Sequence, residues 1–140
     1  MNRNSISLRE FGFYGGLLDK LLSQHLHPLF RTLWGTAVPV LDHHKSFIVN
    51  YSLGEDVDLS YHFDDAEFTM NLCLSKSFDG GHLQFGPSDE NNQSSREIVR
   101  QKMGYAVLHK GSRMHEALPI TSGERLNLIM VTKINLDFVI

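Results

Sequence analysis

The chain has 140 residues, of which 41% are hydrophobic, and its 13 basic and 16 acidic side chains give a formal charge of −3. This length suits one domain that folds without a disulfide or a structural metal, and the single cysteine excludes an intramolecular disulfide or a zinc cage of several thiolates. The mildly acidic balance does not favour binding to nucleic acid, and no apolar run reaches the roughly 20 residues of a membrane span. We therefore expect a single domain over 1–140, in which a metal site would use histidine and carboxylate.

The first part of the chain predicts a helical front. Residues 1–10 are polar, whereas from 16 to 34 the apolar side chains recur at spacings of three and four, as on one face of an amphipathic helix. Pro28 disfavours a helix interior, so a kink or a second helix is expected there, and Gly35 ends the helix. The segment 11–18 is interrupted by glycines and lacks a cleavage pattern, so no signal peptide is predicted and a cytoplasmic location is the default expectation.

After residue 46 the pattern changes to short apolar runs separated by Gly, Pro, Asp and Ser. Eight candidate strands follow in chain order, at 47–51, 59–64, 68–75, 82–86, 97–102, 105–109, 114–120 and 125–133. Eight short strands at such spacing are typical of a jelly roll, so the β-core is expected over about 47–133. The polar stretch Ser88–Ser95 is predicted to be a surface loop.

Two of these strands have one apolar face and one face of mixed polarity. The mixed face carries Asn71 and Cys73 in the third strand, and Arg125 in the last one. The ordinary interpretation places such a face in water. If the apolar helix covers the apolar face instead, the mixed face lines a cavity, and Arg125 then needs an anionic partner because an unpaired buried charge is very costly.

The strongest local feature is the tripeptide His62-Phe63-Asp64 at the end of a predicted strand. Side chains two residues apart in a strand share a face, so His62 and Asp64 can bind one ion. An isolated H-x-D is more often a surface feature, but His115 begins a later strand and Arg125 follows it by ten residues. Two histidines and a carboxylate form the facial triad of non-heme Fe(II) oxygenases, and a nearby guanidinium suits a carboxylate of a co-substrate.

With these residues the sequence resembles the Fe(II)- and 2-oxoglutarate-dependent dioxygenases. It is similar to the branch of the procollagen lysyl hydroxylases and prolyl 4-hydroxylases, and in particular to proteins named for a 2-oxoglutarate and iron-dependent oxygenase domain. The matching segments are YSLG (51–54), HFDDAEFTMNLCLS (62–75), GGHLQFG (80–86), GYAVLHKG (104–111) and MHEALPITSGERLNLIMV (114–131). The resemblance implies a double-stranded β-helix, a mainly β jelly roll of the cupin kind, with the amphipathic helix packed outside its major sheet.

The resemblance also implies six site residues and no catalytic residue beyond the metal ligands. Iron would be bound by His62, Asp64 and His115. The co-substrate 2-oxoglutarate would be bound by Arg125, at its distal carboxylate, and by Tyr51 and Asn71. Cys73 stands where some relatives carry tyrosine, so it receives no role, and Asn127 stands where relatives vary, so it is only a candidate pocket residue.

The implied activity consumes O2 and 2-oxoglutarate, releases succinate and CO2, and hydroxylates a substrate, with ascorbate as reductant. A lysine or proline side chain of a protein or peptide is the substrate expected by analogy. No nucleic-acid partner and no membrane span are expected.

Alternative interpretations remain at this stage. His109 competes with His115 as the distal ligand, although only His115 has the ten-residue offset to Arg125. Relatives usually have more chain ahead of the first core strand, which is consistent with a shortened inactive form or a non-catalytic β-barrel binding module. A zinc-bound cupin-like hydrolase or isomerase is a third possibility.

Overall fold

The computed structural model describes residues 5–12, 14–54, 59–87 and 93–134. Within these ranges the strands, in chain order, are β1 (Ser5–Ser7), β2 (His43–Ser52), β3 (Leu59–His62), β4 (Phe68–Cys73), β5 (Phe78–Gly80), β6 (Leu83–Gly86), β7 (Glu97–Val99), β8 (Ala106–Lys110), β9 (Met114–Ala117) and β10 (Ile120–Lys133). Each of the eight predicted strands has a counterpart. The three-residue strands β1 and β5 were not predicted, because a segment so short shows no periodicity and forms only by pairing with a longer neighbour, β2 or β10.

The helical front runs from residue 14 to residue 34. Two wide π-helical stretches, Tyr14–Leu18 and Leu21–Leu26, lead into the helix α1 (His27–Trp34). Pro28 lies in the first turn of α1, where its missing N–H is not needed, and Gly35 follows the last turn. A kink or a second helix is expected at Pro28; Leu26 and His27 both have right-handed helical backbone angles, so the helix continues through this point and its hydrogen-bond pattern changes there from π to α. None of the described helices is long and apolar enough to cross a membrane.

Two short 3-10 helical turns lie outside the helical front among the described residues. Leu8–Phe11 follows β1, and Gln93–Ser95 precedes β7. Most of the predicted surface loop, residues 88–92, lies outside the described residues.

Two antiparallel sheets make up the β-core. The larger has the order β1-β2-β10-β4-β8, with β5 also paired to β10, and the smaller has the order β3-β9-β6-β7. Most consecutive strands of the core alternate between the two sheets in the manner of a jelly roll, whereas β4 and β5 both lie in the larger sheet and β6 pairs with β7 in the smaller one. The predicted double-stranded β-helix is confirmed.

The helical front covers the outer face of the larger sheet. Phe30 is completely buried, and its ring stacks on Phe68 of β4 with centroids 4.6 Å apart. The same apolar cluster contains Leu22, Met70 and Met130. Since this face is covered, the opposite face of the larger sheet points toward the smaller sheet, as the sequence pattern predicts.

The space between the sheets has apolar walls and polar ends. A second apolar cluster joins Val49 and Tyr51 of β2 to Leu83, Phe85 and Ala117 of the smaller sheet. The polar side chains of the mixed face lie in the same interior: Thr69, Asn71, Arg125 and Asn127 are all buried. This interior holds the site described below.

Candidate functional site

The structure brings His62, Asp64 and His115 together. His62 is the last residue of β3 and pairs directly with His115 of the antiparallel strand β9. Their imidazole centroids lie 4.4 Å apart. Each of the three residues offers one ligand atom within 4.8 Å of the others, so the set has the convergence that a metal site requires.

The carboxylate of Asp64 is held by neighbours on both its backbone and its side chain. The backbone N–H of Asp64 donates to the carbonyl of Gly111 at 2.9 Å, and Thr69 Oγ1 donates to Asp64 Oδ2 at 2.7 Å. A Cβ atom on Gly111 would lie 1.9 Å from the carbonyl oxygen of Ala66, so only glycine permits this close approach. Thr69 was missed in the sequence analysis, although it shares the mixed face of β4 with Asn71.

Both histidines of this cluster have the hydrogen-bond arrangement of metal ligands, in which a backbone carbonyl holds one ring nitrogen. The Nδ1 atom of His62 lies 2.7 Å from the carbonyl oxygen of Ser60, and that of His115 lies 2.9 Å from the carbonyl oxygen of Arg113. A carbonyl can only accept, so Nδ1 carries the hydrogen and Nε2 of the neutral ring keeps its lone pair. The Nε2 atoms lie 3.4 Å (His62) and 3.8 Å (His115) from Asp64 carboxylate oxygens.

The electrostatics of the cluster favour a bound cation. Burial opposes ionisation of Asp64, but a hydrogen bond from the protonated form of His62, another from Thr69 and the nearby imidazoles outweigh it and lower its pKa to about 2. Burial lowers the pKa of His115 to about 4. The pKa of His62 is raised, chiefly by its hydrogen bond with Asp64. At neutral pH the cluster therefore offers a carboxylate and at least one uncharged imidazole.

A third imidazole borders the same carboxylate. His109 of β8 pairs across the sheet with Thr69, and its ring centroid lies 4.6 Å from that of His115. Its Nε2 lies 3.8 Å from Asp64 Oδ2, the same distance as for His115. The ligand atoms of His62, Asp64 and His115 all lie within 4.8 Å of one another, and His109 borders this set without belonging to it.

The other end of the interior contains a buried guanidinium. Arg125 is 1% exposed, and its charged group lies 4.2 Å from the centroid of the Tyr51 ring. Neither its Nε nor its Nη1 has a hydrogen-bond partner among the residues that the structure describes. Burial lowers the pKa of Arg125, although Tyr51 and Cys73 act in the opposite sense. Such a group requires an anion, because a buried cation without one is strongly unfavourable.

A cluster of buried carboxamides lies on the wall of this interior. Asn71 Oδ1 accepts hydrogen bonds from Asn127 Nδ2 at 2.5 Å and from Gln101 Nε2 at 3.4 Å. Asn127 Nδ2 also donates to Gln101 Oε1 at 2.9 Å. Asn71 thus lies on the interior face as predicted, with its amide engaged by two partners. Gln101 received no role in the sequence analysis: the predicted strand 97–102 includes it, but β7 ends at Val99, and Gln101 reaches the interior from the irregular segment that follows.

The strand register places the two ends of the site on one surface. Arg125 pairs with Tyr51, whereas Val131, six residues further along β10, pairs with Thr69. Thr69 contacts Asp64 of the histidine–aspartate cluster. Side chains six residues apart in a strand share a face. The arrangement therefore suits a ligand with a carboxylate at one end and a metal-binding group at the other.

Comparison with known proteins reveals relatives over most of the chain. It is 42% identical over 135 residues to "2-oxoglutarate and iron-dependent oxygenase domain-containing protein 2" of Xenopus tropicalis, covering 93% of this chain and 38% of that protein. It is 38% identical over 141 residues to the Arabidopsis thaliana "2-oxoglutarate and iron-dependent oxygenase domain-containing protein ICU11", covering 93% of this chain and 34% of that protein. A "Procollagen lysyl hydroxylase and glycosyltransferase" of Acanthamoeba polyphaga mimivirus is 33% identical over 121 residues, which are 80% of this chain and 13% of that protein. No family model matches the chain.

Solved structures share the fold at lower identity. A prolyl-4-hydroxylase of Pseudomonas putida has a TM-score of 0.63 and 22% identity, covering 84% of this chain and 62% of that one. An oxidoreductase of the 2OG-Fe(II) oxygenase family from Burkholderia pseudomallei has a TM-score of 0.66 and 18% identity, covering 85% of this chain and 57% of that one. The chain is thus a relative of the 2-oxoglutarate and iron-dependent oxygenase domain-containing proteins, and it spans 38% of the Xenopus tropicalis protein's length.

Proposed function

We propose that this relative of the oxygenase-domain proteins carries the metal centre and co-substrate pocket of an Fe(II)- and 2-oxoglutarate-dependent dioxygenase. One observation carries the proposal: the buried cation of Arg125, whose Nε and Nη1 have no hydrogen-bond partner among the described residues, shares an interior with the converging ligand atoms of His62, Asp64 and His115. Imidazole and carboxylate are donors that suit Fe(II), and two histidines with one carboxylate leave coordination positions open. 2-Oxoglutarate meets both requirements of the interior, with a distal carboxylate for the cation and a 2-oxo acid for the metal.

The residues fit the two absent groups. His62, Asp64 and His115 would hold iron, and Arg125 would pair with the distal carboxylate of 2-oxoglutarate. When bound, iron and 2-oxoglutarate supply the oxidising chemistry, in which O2 is consumed, succinate and CO2 are released and a substrate is hydroxylated. The side chains of this chain contribute binding, orientation and the exclusion of water.

At the metal end, the protein keeps most of the ligand atoms in the protonation state that binds a cation. Asp64, with a pKa of about 2, is ionised throughout the neutral range, so a cation displaces no proton from it. His115 keeps its lone pair because its pKa is about 4. His62, whose pKa is raised, is the ligand that must release a proton when metal binds at mildly acidic pH. The carbonyls of Ser60 and Arg113 hold the two rings in the required tautomer.

At the co-substrate end, Arg125 is held in place by its neighbours. The Tyr51 ring covers the guanidinium. Gly81 lies on another side of it, where a Cβ atom would be in ordinary van der Waals contact with Arg125 Nη1 at 3.4 Å. Tyr51 is proposed to contact the co-substrate through this stacked position. Asn71 is proposed as a second contact, and its amide is oriented by Gln101.

The substrate is proposed by analogy. Similarity to a procollagen lysyl hydroxylase, and a fold shared with a prolyl-4-hydroxylase, support hydroxylation of a lysine or proline side chain in a protein or peptide. Ascorbate is proposed as the reductant on the same ground.

Anaerobic titration with Fe(II) and 2-oxoglutarate tests the proposal. We expect a weak visible charge-transfer band, and succinate release once O2 is admitted. His62→Ala should abolish both, whereas His25→Ala, at an exposed histidine of the helical front, should change neither. A missing band, or one that survives His62→Ala, would overturn the proposal in favour of a non-catalytic binding module. Zinc in protein purified without added iron, together with no succinate release, would favour a zinc hydrolase or isomerase.

A further inference from the structure

Three imidazoles surround Asp64, and each has its Nδ1 atom against a backbone carbonyl oxygen. The Nδ1 atom of His109 lies 2.9 Å from the carbonyl oxygen of Lys110, just as those of His62 and His115 lie against backbone carbonyls. Since a carbonyl only accepts, His109 also carries its hydrogen on Nδ1 and presents a bare Nε2 lone pair in its neutral form. All three Nε2 atoms lie within 3.8 Å of an Asp64 oxygen.

The Nε2 atom of His109 is a buried polar atom that needs a hydrogen-bond partner or a cation. The residue is 6% exposed, and this atom has no hydrogen-bond partner among the residues that the structure describes. It faces Asp64 Oδ2, itself an acceptor that already receives the hydroxyl hydrogen of Thr69. A buried acceptor without a partner is unfavourable because its desolvation is not compensated. Two acceptors that face each other are satisfied together by a cation placed beside both.

The apolar surroundings of His109 provide packing but no partner for this nitrogen. Phe85 meets the ring edge-on with centroids 5.1 Å apart. The variant His109→Phe preserves this packing and removes both ring nitrogens, Nε2 together with the Nδ1–H that faces the Lys110 carbonyl.

We infer that His109 is a fourth protein donor to the divalent cation, whose Nε2 binds the metal together with His62, Asp64 and His115 when 2-oxoglutarate is absent. The inference rests on the proposed function, because a dioxygenase needs open positions and His109 must therefore yield its position to the co-substrate. Coupling of this kind is reciprocal. His109 strengthens binding of the metal alone and weakens binding of 2-oxoglutarate.

The first test is anaerobic titration of His109→Phe with Co(II), with and without 2-oxoglutarate. We expect the variant to bind Co(II) about 10–100-fold more weakly without 2-oxoglutarate, by analogy with the loss of other groups that support a metal site. At saturating 2-oxoglutarate the Co(II) affinities of His109→Phe and the wild type should become nearly equal. The Co(II)-loaded variant should bind 2-oxoglutarate more tightly than the Co(II)-loaded wild type does. His115→Ala is the control that should lose Co(II) under both conditions. An unchanged Co(II) affinity, or weaker 2-oxoglutarate binding, would overturn the inference.

A second test uses the wild-type protein and stays decisive if His109→Phe does not fold. Each imidazole that binds Co(II) through Nε2 retains its Nδ1–H, which gives a hyperfine-shifted, solvent-exchangeable proton NMR signal. Three such signals are expected without 2-oxoglutarate and two with it, because three Nδ1 atoms are held by carbonyls. Two signals in both conditions would refute the role of His109.

The proposed function is tested separately by the Fe(II) charge-transfer band. A band together with only two signals would refute the fourth donor while leaving the dioxygenase proposal intact. Three signals without a band would support the four-donor centre and refute the dioxygenase.

Discussion

Replacing Arg125 by methionine is expected to affect stability and co-substrate binding in opposite senses. In the ligand-free protein the guanidinium is 1% exposed, and its Nε and Nη1 are unpartnered among the described residues. Stacking on Tyr51 returns up to about 2 kcal/mol, less than the several kcal/mol that burial of a charge costs. A methionine of similar shape should therefore leave the free energy of unfolding unchanged or raise it by up to about 4 kcal/mol.

Binding of 2-oxoglutarate should weaken sharply in the same variant. Its distal carboxylate would lose a charge-assisted, two-armed hydrogen bond with Arg125 and would remain buried without a partner, at a cost of about 3–5 kcal/mol. That cost corresponds to a loss of affinity of roughly 10²–10⁴-fold. Metal affinity should not change, because Asp64 and its histidines lie at the other end of the interior.

The assay compares three quantities in metal-free and Mn(II)-loaded protein. Calorimetric titration gives the affinities for Mn(II) and for 2-oxoglutarate, and urea denaturation gives the free energy of unfolding. Arg96→Met is a matched control, because Arg96 also stacks on a tyrosine, at 4.1 Å from the Tyr61 ring centroid, but is paired with Glu116 at 2.6 Å. This control should lose stability and keep its affinity for 2-oxoglutarate. Equal losses of Mn(II) and 2-oxoglutarate affinity in Arg125→Met would refute the role given to that residue.

Three further predictions follow from the metal end. Thr69→Val removes the hydrogen bond to Asp64 Oδ2 and should weaken Co(II) binding about 10–100-fold, whereas Thr69→Ser should bind as the wild type does; equal affinities in all three proteins would contradict this. Burial lowers the pKa of His115 from 6.5 to about 4, so below pH 6.5 the unfolded chain binds a proton that the folded chain does not. This contribution to stability is fully present above pH 6.5 and is lost as the pH falls toward 4. Urea denaturation of metal-free protein measures it, and a His115→Asn variant with the same loss would argue against this origin. Gly111→Ala should destabilise the protein by about 1–3 kcal/mol and impair Co(II) binding, because its Cβ would overlap the Ala66 carbonyl beside Asp64; wild-type melting and affinity would show that the loop can relax.

Much of the fold follows from local patterns in the chain. The spacing of apolar residues from 16 to 34 predicts the helical front, and Pro28 predicts where its second part begins. Alternation within 68–75 predicts which side chains of β4 face the interior. These features depend on neighbours a few residues apart, which explains why they can be read without the tertiary structure. The start of β10 at Ile120 was missed, because its first residues pair irregularly with β5 and lack the alternation of the later ones.

In the candidate site, too, some features follow from the local sequence and others from the pairing of distant strands. The sequence by itself determines that His62 and Asp64 can act together, because side chains two residues apart near a strand end project to one side. Only the tertiary structure decides what meets them, since antiparallel pairing places His115 opposite His62 and the β4–β8 register places His109 opposite Thr69. A register shift of one residue would turn these side chains to the other face, and no local pattern encodes that pairing. The excess of histidine in the composition therefore indicates an imidazole site, while the non-local pairing of strands decides how many imidazoles reach Asp64.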